Sequence, residues 1–321
     1  MSDTSLPSRH WATQKERGSF ALMKLTALGL RHIGRKPMAP VLYLIVLYFF
    51  ASGRRARQAA REYQQRLAAW SGRAELRPTT RRVFRQFMAF AESLLDRLDV
   101  WRGKLRPEQV QLIDPSGIRE RLAQSGPGRR GEILVGAHLG NLDVCRALAE
   151  LGGSSINVLL HSRHVERFNQ LQREAGDRRL RLIQVSELDA ALMLDLSQRI
   201  ERGEWLAIAG DRVPLHGDRC VSVDFLGHAA PFPQGPWLLA GLLRCRTSLM
   251  CCLKVDGRYR IHLEPFLDEP AWERGRREAA IAQWASRYAE RLGQLCLLAP
   301  LQWFNFYPYW QAPAAGGDDA R

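Results

Sequence analysis

The sequence predicts an α/β fold: a mixed, mostly parallel sheet flanked by helices, preceded by an N-terminal helical segment that associates with a membrane. Three observations predict it. From about residue 115, short apolar runs alternate with amphipathic helical patterns, as expected for a largely parallel sheet with helices packed on it. Met38 to Ala51 is a run of fourteen residues without a charge. The positive charge is also gathered at one end: through residue 90 there are 17 Lys and Arg against 4 Asp and Glu, whereas the whole chain has 47 against 33, a net +14.

The elements follow in order. Residues 1–75 read as a basic helical, membrane-associating segment, with a polar stretch to about residue 18 and a second apolar stretch from Phe20 to Leu30. A spanning helix needs about 20 apolar residues, so the 38–51 run is short. Arg31, Arg35 and Lys36 precede it and Arg54, Arg55 and Arg57 follow it, which disfavours moving either flank across a bilayer. An interfacial or re-entrant anchor with both ends in the cytoplasm fits this pattern; the competing reading is a core helix flanked by solvated arginines. A basic helix then continues from Arg54 to Trp70, and Ser71 to Pro78 breaks it.

Residues 76–313 read as the α/β domain. Thr79 or Thr80 can cap a helix whose apolar positions (Val83, Phe84, Phe87, Phe90, Leu94, Leu98) keep helical spacing. Strands are expected at 133–137, 156–160, 180–185, 205–209, 221–225, 248–255 and 259–263. Helices are expected at 141–151, 165–175, 187–202, 236–243 and 271–296. Asp256-Gly257 marks a hairpin between the last two strands, and so an antiparallel edge. Residues 314–321 read as a flexible tail.

Composition narrows the function classes. A concentrated basic field attracts a polyanion, either nucleic acid or an anionic membrane face. The uncharged run beside it favours the membrane, so no nucleic-acid partner is expected. The alternative from another class is a non-enzymatic basic membrane or nucleic-acid binder. Six cysteines form no CxxC pair and read as reduced, mostly core thiols. No metal or bound cofactor is implied.

The chemistry-bearing stretch is "GAHLGNLD", residues 136–143. His138 falls at a predicted strand-to-helix junction, and Asp143 in the first turn of the helix can turn back to hydrogen-bond the imidazole, leaving its other nitrogen as a general base. Alone the spacing is weak, because an Asp at that place is favourable to the helix anyway. Gly136 and Gly140 permit tight backbone and close substrate approach. Arg163 and His164 follow a strand and are candidates for binding a phosphate; Asn169 could orient their loop or face solvent. Asp211 and Arg212 follow the strand 205–209, at the strand ends where ligands gather in such sheets; a plain Asp–Arg bridge is the competing account. No Gly-x-Ser-x-Gly nucleophile is present.

Together these stretches resemble the glycerolipid acyltransferase superfamily, and more narrowly the late acyltransferases of lipid A biosynthesis. "AHLGNLD" at 137–143 matches the catalytic motif, and "HSRHVERFNQL" at 161–171 is similar to the second motif. "GDRVPLHGDRCVSVDFLGHAAPFPQGP" at 210–236 matches the third, and "PLQWFNFYPYW" at 300–310 resembles the C-terminal aromatic signature. The resemblance covers about residues 15–311. It implies His138 and Asp143 as catalytic, and Arg163, His164, Asn169, Asp211 and Arg212 as substrate-binding, with Asp211 ordering Arg163 or His138. Phe225, Gly227 and Gly235 would border the acyl channel. It also implies an acyl carrier protein or coenzyme A thioester as donor substrate, a membrane lipid acceptor, and the cytoplasmic face of a bacterial inner membrane. Lipid A relatives often carry Glu at the position of Asp143, so a specialised pigment or polyene lipid pathway is the alternative to lipid A itself.

Overall fold

The computed structural model describes residues 35–101, 105–142, 144–145, 156–160, 180–184, 189–213 and 220–311. Nine strands lie among them: β1 (Val110–Ile113), β2 (Ile133–Gly136), β3 (Ile156–Leu160), β4 (Leu180–Gln184), β5 (Trp205–Ala209), β6 (Cys220–Phe225), β7 (His228–Pro233), β8 (Thr247–Val255) and β9 (Arg258–Leu267). Seven form one sheet in the order β1-β9-β8-β2-β5-β3-β4, and β6 and β7 form a separate ribbon. Within the large sheet only the β8–β9 pair is antiparallel; the other neighbours run parallel. The mostly parallel α/β sheet read from the sequence is therefore what the chain adopts.

The central strand β2 is apolar on both faces because both faces are covered. All four residues of β2 are buried. Ile133 and Val135 point into one core cluster, and Leu134 points into a second on the opposite face. The larger cluster is closed by α2 (Arg54–Ser71), α5 (Ala190–Glu201), α6 (Gly235–Leu243) and α7 (Arg277–Leu298). The smaller is closed by α4 (Ile118–Ala123) and by Val144 and Cys145.

Two strands escape a reading of the pattern. β1 is only four residues long and half-buried, with neither the continuous apolar run nor the strict alternation that marks a strand. β7 carries Pro231 and Pro233, which argue against a strand unless it lies at an edge; a two-stranded ribbon is all edge. The Asp256-Gly257 turn is as expected, both residues having positive φ (50° and 74°). The expectation that this hairpin makes the edge of the sheet is corrected: β1 adds in parallel outside β9 and places it inside. The predicted helix at 165–175 lies outside the described residues.

At the N-terminal side, α1 (Arg35–Ser52) and α2 meet at Gly53 with a bend of 91°. The expected smooth continuation of the basic helix is thus replaced by a corner. Gly53 is required there, since a Cβ would stand 2.6 Å from the Phe49 carbonyl oxygen. Arg57 closes the corner by donating to the carbonyls of Phe50 and Ala51, the latter at 2.6 Å. Among the described residues no single helix is long and apolar enough to cross a membrane, although the bent pair together passes by length and composition. α1 leaves Val41, Tyr43, Leu44, Leu47 and Tyr48 exposed. α2 instead sends Tyr63 and Leu67 into the large core. Thr79 caps α3 (Thr80–Trp101), accepting the Arg82 N–H at 3.1 Å.

Candidate active site

His138 stands two residues beyond the carboxyl end of β2, and Asp211 two residues beyond the carboxyl end of the adjacent β5. Parallel pairing in register (Gly136 opposite Ala209) carries both residues to the same sheet edge. One Asp211 carboxylate oxygen lies 2.8 Å from His138 Nδ1. The other accepts the His138 backbone N–H at 2.8 Å and the Trp303 indole N–H at 3.0 Å. Asp211 is wholly buried, while the His138 side chain keeps 32% of its exposure. No described residue hydrogen-bonds Nε2.

Burial is the largest single influence on the Asp211 carboxyl and pushes its pKa up. The His138 charge and hydrogen bonds, with the nearby Arg212 guanidinium, together outweigh it and hold the group below the usual carboxylate range. Asp211 is therefore an ionised, fully satisfied carboxylate. Its hydrogen bond fixes the proton on Nδ1 and leaves the Nε2 lone pair as the basic site of the neutral ring.

The histidine loop is held from several sides. Phe304 N–H donates to the His138 carbonyl at 2.8 Å, Gly140 N–H to the Gln302 carbonyl at 2.9 Å, and Asn141 N–H to the Cys252 carbonyl at 2.8 Å. The Asn141 side chain reaches the Ser93 carbonyl on α3 at 3.1 Å, and the Tyr288 hydroxyl of α7 donates to the Gly136 carbonyl at 2.7 Å. Gly140 sits at φ 73°, where a Cβ would lie 1.9 Å from the Cys252 carbonyl oxygen. The backbone that approaches this glycine is that of β8.

Other expected site residues fall as follows. Asp143, Arg163, His164 and Asn169 lie outside the described residues. Arg212 emerges beside Asp211, its Nη2 reaching 3.5 Å from the Phe304 carbonyl. Phe225, expected at an acyl channel, lies in the aromatic core: it is almost fully buried, stacked on Trp310 and edge-on to Phe232 and Trp303. Phe225 ends β6 and pairs with His228 of β7 in the β6–β7 hairpin. Gly227 (φ 79°) forms its turn with Leu226 (φ 55°), and Gly235 opens α6. Cys145 is buried at the start of the helix after His138, as anticipated for a core thiol.

Reasoning from the sequence missed the roles of Trp303 and Tyr288. Both are aromatics in apolar surroundings, and only the fold brings their polar atoms to Asp211 and Gly136. The signal for Trp303 was its place in the 300–310 aromatic signature.

A histidine oriented by a buried carboxylate at the carboxyl ends of parallel strands is an arrangement able to do general acid–base chemistry in an α/β enzyme. Residues 74–312 match the family described as bacterial lipid A biosynthesis acyltransferase, and the chain belongs to that family. It is an acyltransferase acting towards a lipid acceptor. A search of curated proteins finds no match.

Proposed function

We propose that the chain transfers a fatty or related acyl group from an acyl carrier protein thioester, or from coenzyme A, to a hydroxyl or amine of a lipid-like acceptor at the cytoplasmic leaflet of the bacterial inner membrane. The observation that carries this reading is the His138–Asp211–Trp303 constellation, with Nε2 free of any described partner. Nε2 takes the acceptor's proton as its oxygen or nitrogen attacks the thioester carbon. The tetrahedral species collapses by breaking the C–S bond, and the imidazolium returns the proton to the departing thiolate. Asp211 stabilises the imidazolium between those events, and no acyl-enzyme is formed. Arg212 is the described cation best placed to stabilise charge on the carbonyl oxygen or bind a phosphate.

The acceptor side is supported by a continuous series of ring contacts. Phe304, whose N–H bonds the His138 carbonyl, meets Phe90 (5.2 Å), which meets Phe306 (5.4 Å); Phe306 meets Phe87 (4.8 Å), Phe87 meets Phe50 (5.4 Å), Phe50 meets Phe84 (5.3 Å), and Phe84 meets Tyr43 (5.1 Å). An apolar ridge thus runs from the catalytic loop to the exposed face of α1, beside the exposed Arg54 and Arg55. Apolar side chains next to cations suit the interface of an anionic bilayer. The donor side is supported by the same basic excess, which suits an acidic carrier protein.

The test is a purified assay with acyl carrier protein bearing a labelled acyl group and vesicles of total bacterial membrane lipid, the product being identified by mass spectrometry. His138→Ala should lose at least ~10³-fold in turnover with unchanged thermal unfolding. Wild-type turnover by that variant would remove His138 from the reaction, and the mass of the product decides between lipid A and another lipid.

A further inference from the structure

Two glutamine side chains, Gln64 on α2 and Gln86 on α3, are wholly buried on helix faces otherwise filled by Tyr63, Leu67, Ala68 and Val83. A buried amide left unpaired costs about 1–3 kcal/mol, so such groups persist where their bonds do something. Gln64 Nε2 donates to Gln86 Oε1 at 2.8 Å, and Gln86 Nε2 donates to the Trp303 carbonyl at 2.8 Å. The first bond sets the orientation of the second: with Oε1 occupied by a donor, only the Nε2 end of Gln86 is left for Trp303.

The Trp303 carbonyl and the Phe304 N–H belong to one peptide plane. Its far side donates to the His138 carbonyl at 2.8 Å. The Trp303 indole, on the same residue, donates to Asp211 at 3.0 Å. The ring itself is wedged between Tyr63 (4.9 Å), Tyr309 (5.0 Å) and Phe225 (5.3 Å). Gln86 therefore grips, through one rigid plane, both the main chain of the proposed base and the tryptophan that anchors its carboxylate.

We infer that Gln86 is a positioning residue for acyl transfer, holding the 303–304 peptide so that His138 and Asp211 keep their mutual geometry, with Gln64 fixing the amide of Gln86. This rests on the reading of His138 as the general base. Helices α2 and α3 thereby help to set the catalytic pair through a buried chain of hydrogen bonds: Gln64, Gln86, Trp303, Asp211, His138.

The test uses full-length protein in the carrier-protein and vesicle assay, with Gln86→Met and Gln64→Met. Displacing a reacting group by an ångström or less lowers turnover by roughly 10- to 100-fold. Gln86→Met is expected to fall in that range in kcat while KM for both substrates stays within about twofold. The acid limb of its kcat/KM profile should move to lower pH, because a loosened carboxylate stabilises the imidazolium less. The other ionisable groups around the pair (Arg212, Tyr288, Cys296, Tyr307 and Tyr309) are untouched by either substitution. Gln64→Met, which frees the Gln86 amide to flip, should shift the same two readouts in the same direction by a smaller amount. A lowered melting temperature with wild-type kcat and pH limb in folded Gln86→Met would make the chain merely structural and overturn the inference. If Gln86→Met does not fold, unchanged kcat and pH limb in Gln64→Met overturn it equally. His138→Ala in the same assay separates the outcomes: if it is inactive while both glutamine variants behave as wild type, only this inference fails.

Discussion

The two ends of β2 each carry a buried carboxylate engaged by a nitrogen base. At the amino end Glu132 is held by Arg121, at 2.6 and 3.1 Å from its two oxygens, with Arg246 at 3.9 Å. At the carboxyl end Asp211 is held by His138 and Trp303. The difference lies in the partner. A guanidinium never gives up its proton, so the Glu132 end can only bind. Around it Arg130 meets Glu201 and the carbonyls of Leu243 and Arg244, and Arg246 meets Asp268, which gives a ring of matched charges at the foot of the sheet. An imidazole can take and return a proton, and at the carboxyl end it is left one-third exposed. One sheet thus has a fastened end and an end whose base is able to exchange a proton.

The largest effect that could break this comparison belongs to Asp211→Asn. One Asp211 oxygen accepts two N–H donors, from His138 and Trp303. An asparagine has a single acceptor oxygen, which those two donors will claim, turning its NH₂ towards His138 Nδ1. That forces the proton onto Nε2 and leaves no base facing the acceptor. Turnover should fall by about 10³–10⁴-fold with little change in stability. Activity within tenfold of wild type would mean that a different carboxylate orients the ring.

At the fastened end the expected pattern inverts. Arg121→Met strips the closest partner from a carboxylate that is almost fully buried. Arg246 remains to share the charge, so the expected loss is roughly 3 kcal/mol, read by denaturant unfolding. The kcat of the folded fraction should stay near wild type; a large loss of kcat would mean that the two ends of β2 are coupled.

How much of this was legible in the sequence follows from what each feature depends on. The parallel strands were legible because burial on both faces leaves uninterrupted apolar runs such as Ile133 to Val135. His138 was legible because it interrupts such a run between two glycines. Its carboxylate was harder. Within the local motif the near candidate was Asp143, which lies outside the described residues; among the described residues the carboxylate hydrogen-bonded to Nδ1 is Asp211, 73 residues away. Only the β2–β5 pairing makes those two neighbours, and strand order is not written in periodicity. The resemblance to known acyltransferases did include Asp211, with Arg163 and His138 both open as its partner. The polar roles of Trp303, Gln64 and Gln86 were invisible for a related reason. Each sits at a helical or aromatic position where an apolar role suffices, and each acquires a polar one only when α2, α3 and the C-terminal segment converge on the histidine loop.

A third carboxylate sharpens the comparison at smaller amplitude. Glu264 on β9 faces His262, whose Nδ1 is 3.7 Å away, and Arg291 of α7, which makes two contacts of 2.6 Å. These partners hold the Glu264 pKa down at about 2. An unfolded glutamate titrates near 4.3, so the folded state binds this proton more weakly than the unfolded state does. The stabilisation from the pair is therefore complete above about pH 4.3 and is lost as pH falls towards 2. It is partly exposed and screened by solvent, so it stays below that of the Glu132 pair. Glu264→Gln should lower unfolding stability at pH 6, and its difference from wild type should shrink steadily between pH 4.3 and pH 2. Because the pair joins β9 to α7 away from the imidazole, kcat at pH 7 should be unchanged. A stability difference that stays constant down to pH 2 would show that the packing of the side chain, and not its charge, fastens α7 to the sheet.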